Sequence, residues 1–180
     1  DYSCELNYCY LEWGGNDRET IYCNYADPDI NNTTITNGGR NGIYCTHSTP
    51  EFELIDCEIS NCSNDGIYIN VSNPTISGCN ILNNGSEGIY LNGSPTNPSI
   101  TGCLIDGNGS YGIHCNTNGP VIDNNTITNN SSYPIYIYAR HCAQITNNTI
   151  SGNSNPDIYV VAETITEDAV WPGQDVAYRM

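Results

Sequence analysis

Glu5, Asp29 and Glu53 recur every 24 residues. In a chain of regular turns that spacing lines three carboxylates along one edge, about 5 Å apart if the turns stack as neighbouring strands. Carboxylates so close repel one another unless a cation sits among them, which makes Ca2+ the candidate ligand. The competing reading is three acids screened by solvent, and the dense Gly-Gly-x-Gly-x-Asp loops of calcium-binding repeats are absent. The cysteines keep a similar beat. Cys57, Cys79 and Cys103 lie 22 and 24 residues apart, and Cys23 and Cys45 lie 22 apart. Among aliphatic residues such thiols pack as small hydrophobes, while Cys23 and Cys45, as neighbours, also come within range of a disulfide. No Cys-x-x-Cys pair occurs, so zinc-ribbon and thioredoxin-like chemistry has no basis. No cationic residue shares these positions to activate a thiol.

A third series is aromatic: Tyr22, Tyr44, Tyr68, Tyr90, His114, Tyr136 and Tyr159. A flat track of this kind suits sugar rings or another protomer, or its rings serve only to cover one another. Asn70, Asn84, Asn92, Asn108 and Asn130 each begin Asn-x-Ser/Thr and are candidate N-glycosylation sites. The same Asn-rich tripeptides are also good bend chemistry. His47, His114 and His141 share no metal-ligand spacing. Acid pairs for glycoside hydrolysis remain open, with Asp106 and Asp123 as the residues to test, but no catalytic residue is assigned.

What must position these side chains is a repeat. The isoleucine of Gly-Ile-Tyr, or a close variant, falls at Ile21, Ile43, Ile67, Ile89, Ile113, Ile135 and Ile158. The steps are 22, 24, 22, 24, 22 and 23 residues. Two further apolar columns keep time with it. One is Leu6, Ile30, Leu54, Ile76, Ile100, Ile122 and Ile145; the other is Leu11, Ile35, Ile59, Ile81, Ile105, Ile127 and Ile150. Between these two columns stand Tyr8, Asn32, Asp56, Gly78, Gly102, Asn124 and Asn147, nearly all residues that tolerate a left-handed backbone. Such a residue bends the chain and turns the next side chain inward: Cys9, Thr33, Cys57, Cys79, Cys103, Asn125 and Asn148. A second bend falls at pairs such as Asn83-Asn84 and Gly107-Asn108, where stacked amides can bond to neighbouring coils. The pattern predicts an all-β, right-handed, single-stranded parallel β-helix of about seven coils, each of 22–24 residues and three short strands. It spans residues 1–162, followed by a connecting or capping segment over 163–180. Helical repeats are excluded, because units this rich in Asn, Gly, Thr and Ile do not hold helices.

Composition narrows the function classes. The net charge is −16, from 20 acidic residues against four basic ones. No basic patch exists to displace phosphate counterions, which excludes nucleic acid and anionic membrane surfaces as partners. No apolar run is long enough for a membrane span. The modest hydrophobic share, 38%, suits a solenoid with a thin central column better than a thick globular core.

Segments such as Pro74-Thr75-Ile76-Ser77-Gly78-Cys79-Asn80-Ile81 and Gly88-Ile89-Tyr90-Leu91 resemble the right-handed parallel β-helix repeat family, over about Leu6 to Val160. That family includes pectate-lyase-like enzymes and many bacterial surface proteins. The resemblance implies the fold and is nearly silent about activity. Lyase-like chemistry would need clustered Asp beside a basic residue, yet Arg18, Arg40, Arg140 and Arg179 are scattered. The expectation is therefore an extracellular or cell-surface structural and interaction module rather than an enzyme. Its expected partners are copies of itself or a neighbouring module at the coil ends, with a polysaccharide as the other candidate. The alternative is a carbohydrate-active lyase, hydrolase or epimerase, or a carbohydrate-binding module. The tail around Trp171-Pro172-Gly173 resembles the bridging segment after a β-helix in multi-module secreted bacterial proteins. With Ile165, Val170, Trp171, Val176 and Tyr178 to cover, it is expected to contact another copy or a following module rather than fold back alone.

Overall fold

Glycine precedes the third-strand isoleucine in most coils because the next coil passes so close to it. A Cβ on Gly66 would stand 2.8 Å from the carbonyl oxygen of Gly88, and one on Gly88 would stand 2.7 Å from that of Gly112. The isoleucine then points inward and the aromatic residue outward, as strand alternation requires. The computed structural model describes residues 4–12, 17–26, 28–47, 52–93, 97–116, 119–165 and 171–180. Over them the chain winds as an all-β, right-handed parallel solenoid of about seven turns with three sheets.

The first sheet joins Cys4–Asn7, Pro28–Asn31, Glu53–Ile55, Thr75–Ser77, Ser99–Thr101, Val121–Asp123 and Ile145–Thr146. The second joins Tyr10–Glu12, Thr34–Thr36, Glu58–Ser60, Asn80–Leu82, Leu104–Asp106, Thr126–Thr128 and Thr149–Ser151. The third joins Ile21–Asn24, Ile43–Thr46, Ile67–Asn70, Ile89–Asn92, Ile113–Asn116, Ile135–Tyr138, Ile158–Val161 and Tyr178–Arg179. Pairing is parallel and keeps the columns in phase: Leu11 opposes Ile35, Ile76 opposes Ile100, and Ile89 opposes Ile113. The three apolar columns meet in the centre and are buried except in the first coil, where Leu6, Leu11 and Ile21 are half-buried. Each fully buried isoleucine contributes roughly 1.5–3 kcal/mol.

Polar residues enter this core with their hydrogen-bonding groups paired to neighbouring coils. After the first bend, Thr33 Oγ1 reaches Leu6 O at 3.5 Å, Cys57 Sγ reaches Ile30 O at 3.2 Å, and Cys79 Sγ reaches Leu54 O at 3.4 Å. Asn125 Nδ2 and Asn148 Nδ2 do the same to Ile100 O and Ile122 O, at 2.9 and 2.8 Å. One column thus accepts Thr, Cys or Asn because each sends a donor to the coil before it. After the second bend an asparagine ladder runs through Asn84, Asn108, Asn130 and Asn153, amide to amide at 3.0, 3.0 and 2.9 Å.

All the predicted first-bend residues have positive φ, from Asn32 at 49° to Gly78 and Gly102 at 64°. The third bend holds a surprise. Tyr25, His47 and Val71 adopt φ of 52°, 55° and 56°, unusual for the bulky Tyr25 and above all for the β-branched Val71. A six-residue 3-10 helix, Ala139–Gln144, interrupts the sixth coil and buries Cys142. No helix among the described residues is long and apolar enough to cross a membrane.

The tail corrects an expectation. Instead of leaving the rod, residues 171–180 turn back onto its last coil. Tyr178–Arg179 extends the third sheet in parallel beside Ile158–Val161, with Ile158 N donating to Ala177 O at 2.8 Å. Trp171, Val176 and Tyr178 pack against the core, and Trp171 and Tyr178 ring centroids lie 5.3 Å apart. Gln174 Nε2 donates to Ile145 O at 2.9 Å, and Arg179 Nε pairs with Asp157 Oδ2 at 3.0 Å. The open coil end offers cover within the same chain, so burial there costs no association entropy. Val170 lies outside the described residues.

Candidate functional site

In-register strands about 4.8 Å apart bring like side chains face to face, and the aromatic series does this along the whole third sheet. Ring centroids are 5.3 Å apart for Tyr22–Tyr44, 4.8 Å for Tyr44–Tyr68 and 5.0 Å for Tyr68–Tyr90. The line continues at 4.5 Å for Tyr90–His114, 4.4 Å for His114–Tyr136 and 5.2 Å for Tyr136–Tyr159. All seven residues singled out from the sequence therefore form one ladder. Tyr111 and Tyr133 widen it, lying 4.9 Å from His114 and 5.1 Å from Tyr159 respectively. Asn92 Nδ2 and Asn116 Nδ2 donate to the hydroxyls of Tyr68 and Tyr90, both at 3.3 Å.

Charge is confined to the borders and the last strand of this face, where Arg179 stands in register with Tyr159 and pairs with Asp157. The outward positions of its first seven strands are Tyr22, Asn24, Tyr44, Thr46, Tyr68, Asn70, Tyr90, Asn92, His114, Asn116, Tyr136, Tyr138, Tyr159 and Val161. None is Asp, Glu, Lys or Arg. The other two sheets carry acids within their strands, Glu5, Asp29, Glu53 and Asp123 on the first and Glu12, Glu58 and Asp106 on the second, while Glu19, Asp65, Glu87 and Asp157 stand just before strands of the third, at its border.

Along one border runs a groove of about 350 Å³ lined by Glu19, Arg40, Asn41, Tyr44, Asn64 and Tyr68, with Arg40 and Glu19 paired at 3.5 Å. Next to it lies a cluster that sequence reasoning missed. Asp65, only 3% exposed, hydrogen-bonds the carboxyl of Glu87 in the following coil and accepts from Glu87 N at 3.1 Å. Asn41 Oδ1 accepts from Asp65 N at 3.1 Å and from Asn64 Nδ2 at 2.9 Å. Glu87 accepts from Ser86 Oγ, and its Oε1 lies 3.5 Å from His114 Nδ1 in the ladder. Burial, then the hydrogen bond and charge of Glu87, raise the Asp65 pKa above the usual carboxylate range. Burial also works to raise Glu87, but His114, Ser86 and Asp65 outweigh it and hold Glu87 below that range. Of this pair Asp65 is therefore the carboxyl that favours the proton and Glu87 the one that favours the charge. Through the bond from Glu87 N to Asp65 Oδ1 the pair acts as a clamp between two successive coils. Its signal was present in the sequence, since both residues stand two positions before a column isoleucine.

The other candidate residues divide. Glu5 and Asp29 are direct strand partners, and Glu53 follows in the next coil. Yet no three His, Cys, Asp or Glu among the described residues are arranged to hold a metal ion. Glu5 and Glu53 are exposed on the outer surface, where solvent screens them, and Asp29 between them is half-buried. Asn84, Asn108 and Asn130 are at most 2% exposed and belong to the buried ladder, which withdraws them as glycan acceptors in the folded chain. Asn70 and Asn92 are half-buried at the border of the third sheet, and Ser94 of the Asn92 tripeptide lies outside the described residues.

Cys23 and Cys45 oppose each other in register, both buried. Cys57, Cys79 and Cys103 are buried and unbridged. A hydrogen bond to the next thiol and burial raise Cys57 and Cys79, the latter to about 12, while the bond from Cys79 lowers Cys103. Asp106 and Asp123 sit in different sheets, each bound to the coil after it. Asp106 Oδ1 accepts from Thr128 Oγ1 at 2.6 Å and Asn129 Nδ2 at 2.7 Å; Asp123 Oδ1 accepts from Thr146 Oγ1 at 2.5 Å and Asn147 Nδ2 at 2.8 Å.

A family model described as right handed beta helix region matches residues 1–121 and again residues 99–167. Neither a curated protein nor a solved structure matches the chain.

Proposed function

The chain belongs to the right-handed β-helix family, and from that premise we propose that it serves as an extracellular structural and interaction module, with the third-sheet face as its contact surface. One observation carries this reading: on an acidic rod, the outward strand positions of the third sheet hold aromatic rings and amides and no charge over seven coils. Charge depletion with aromatic enrichment is the compositional mark of an interface core. The carboxylates that could have done chemistry instead tie coil to coil, as Asp106, Asp123 and the Asp65–Glu87 pair do. The docked tail shifts the expected contact from the C-terminal coil end to this side face. Glycan fits the reading at exposed bend asparagines such as Asn124, which begins Asn-Asn-Thr.

Two measurements test the proposal. Protease or antibody added to intact source cells should reach the chain; protection until the cells are opened would refute the extracellular placement. Pure protein should release no unsaturated or reducing sugar ends from polyuronates or neutral glycans. Release abolished by Glu87→Gln, Asp106→Asn or Asp123→Asn would make the chain an enzyme instead.

A further inference from the structure

We infer that the charge-poor third-sheet face pairs with the same face of a second copy of this chain. This deepens the contact-face reading above and rests on it. Charge comes first. Two copies, each carrying −16, repel in any approach that brings their acidic sheets together. Face-to-face sheets pack about 10 Å apart, and only this packing leaves the acids of the other two sheets on the far sides of both rods. Pitch comes second. The rings repeat every 4.4–5.3 Å along the face, and a second copy carries the same repeat, so the match holds over the full length.

Ring orientation then separates a second copy from a sugar. Four of the six ladder steps are stacked, with interplanar angles of 13°, 29°, 17° and 13°. Ring faces there cover one another, and edges with hydroxyls point outward. Edges of one ladder can enter the gaps of another, whereas a sugar ring needs an open aromatic face. Asn24, Asn70, Asn92 and Asn116 line the same surface, and amides both donate and accept, so the face is self-complementary.

Size sets the strength. Seven strands at ~4.8 Å spacing, four residues long at ~3.3 Å each, give a footprint of about 450 Å² per copy. The total of about 900 Å² falls short of the roughly 1,200 Å² of stable complexes. The pairing is therefore transient, and it strengthens as salt screens the rods.

Sedimentation equilibrium on the full chain tests this over a wide concentration range, at ionic strengths of about 0.05 and about 0.5 M. A dimer fraction that rises with concentration and severalfold with salt is expected. Tyr90→Glu should lower the association constant about tenfold or more. Leu104→Glu adds the same charge on the second sheet and should leave it within about twofold. Circular dichroism confirms that both variants keep the β-helix. A monomer under every condition, or equal effects of the two variants, overturns the inference. A soluble neutral glucan then separates the readings. If the monomer binds glucan and Tyr90→Glu abolishes binding, the face is a contact surface with a different occupant. If it neither pairs nor binds glucan, the contact-face reading falls as well.

Discussion

Replacing Asn108 by alanine isolates the bond network that joins the coils. The residue is 0% exposed. Its Nδ2 donates to Ile81 O at 3.2 Å and to Asn130 Oδ1 at 3.0 Å, and its Oδ1 accepts from Asn84 N and Asn84 Nδ2, both at 3.0 Å. Alanine removes all four bonds. Asn130 Oδ1 keeps the backbone N–H of residue 108, and Asn84 Nδ2 keeps Ile59 O. The backbone N–H of Asn84 loses its acceptor inside the core. That orphan alone costs about 1–3 kcal/mol, and each lost bond a net ~1 kcal/mol in a related but not fully additive way. We therefore expect a loss of about 3–5 kcal/mol, a large part of the roughly 5–15 kcal/mol that holds a typical domain. Urea unfolding followed by far-ultraviolet circular dichroism measures it, with hydrogen exchange locating the damage in the strands flanking Asn84 and Asn108. The midpoint should fall steeply. Asn108→Cys should lose less, because Cys62 already fills the same column and donates to Ser60 O at 3.6 Å. A loss below about 1 kcal/mol for Asn108→Ala would refute the premise that the amide ladder, rather than apolar packing alone, joins the coils.

Ile89→Ala, at a fully buried column position, should cost about 2–5 kcal/mol in the same unfolding assay. The paired carboxyls predict a pH effect: Asp65 has a raised folded pKa, so its contribution is complete below the unfolded carboxylate value and lost as the pH rises into the neutral range. Glu87, held low, acts in the opposite sense and loses its contribution only in stronger acid. Asp65→Asn keeps a donor toward Glu87 and should flatten the decline in urea midpoint between about pH 4 and about pH 7; an unchanged slope would dismiss the clamp. Cys57, Cys79 and Cys103 should resist thiol reagents in the native state, and rapid labelling of all three would show an outward column. Val176→Asp should release the tail, read as faster hydrogen exchange over Ile158–Val161, where Ile158 N is bound to Ala177 O.

The repeat determined the fold by itself. Three in-phase isoleucine columns, with Gly, Asn or Asp at two bends, leave few ways to bury apolar groups and pair backbone, so coil number, register and the aromatic ladder could be read from spacing. The tertiary structure decided what spacing does not encode. Asn108 and Asn124 both begin sequons, but one side chain lies in the buried ladder and the other is exposed, because a single bend residue separates inward from outward. Glu5, Asp29 and Glu53 shared a column as expected, while the acid pair that does interact, Asp65 with Glu87, was passed over for want of a direction for its side chains. The left-handed third bend passes through Tyr25, His47, Val71 and Gly93, too varied a series to read as one residue signature. The tail was legible as apolar and off the repeat. Where it docks, beside Ile158–Val161 of its own last coil, only the tertiary structure shows.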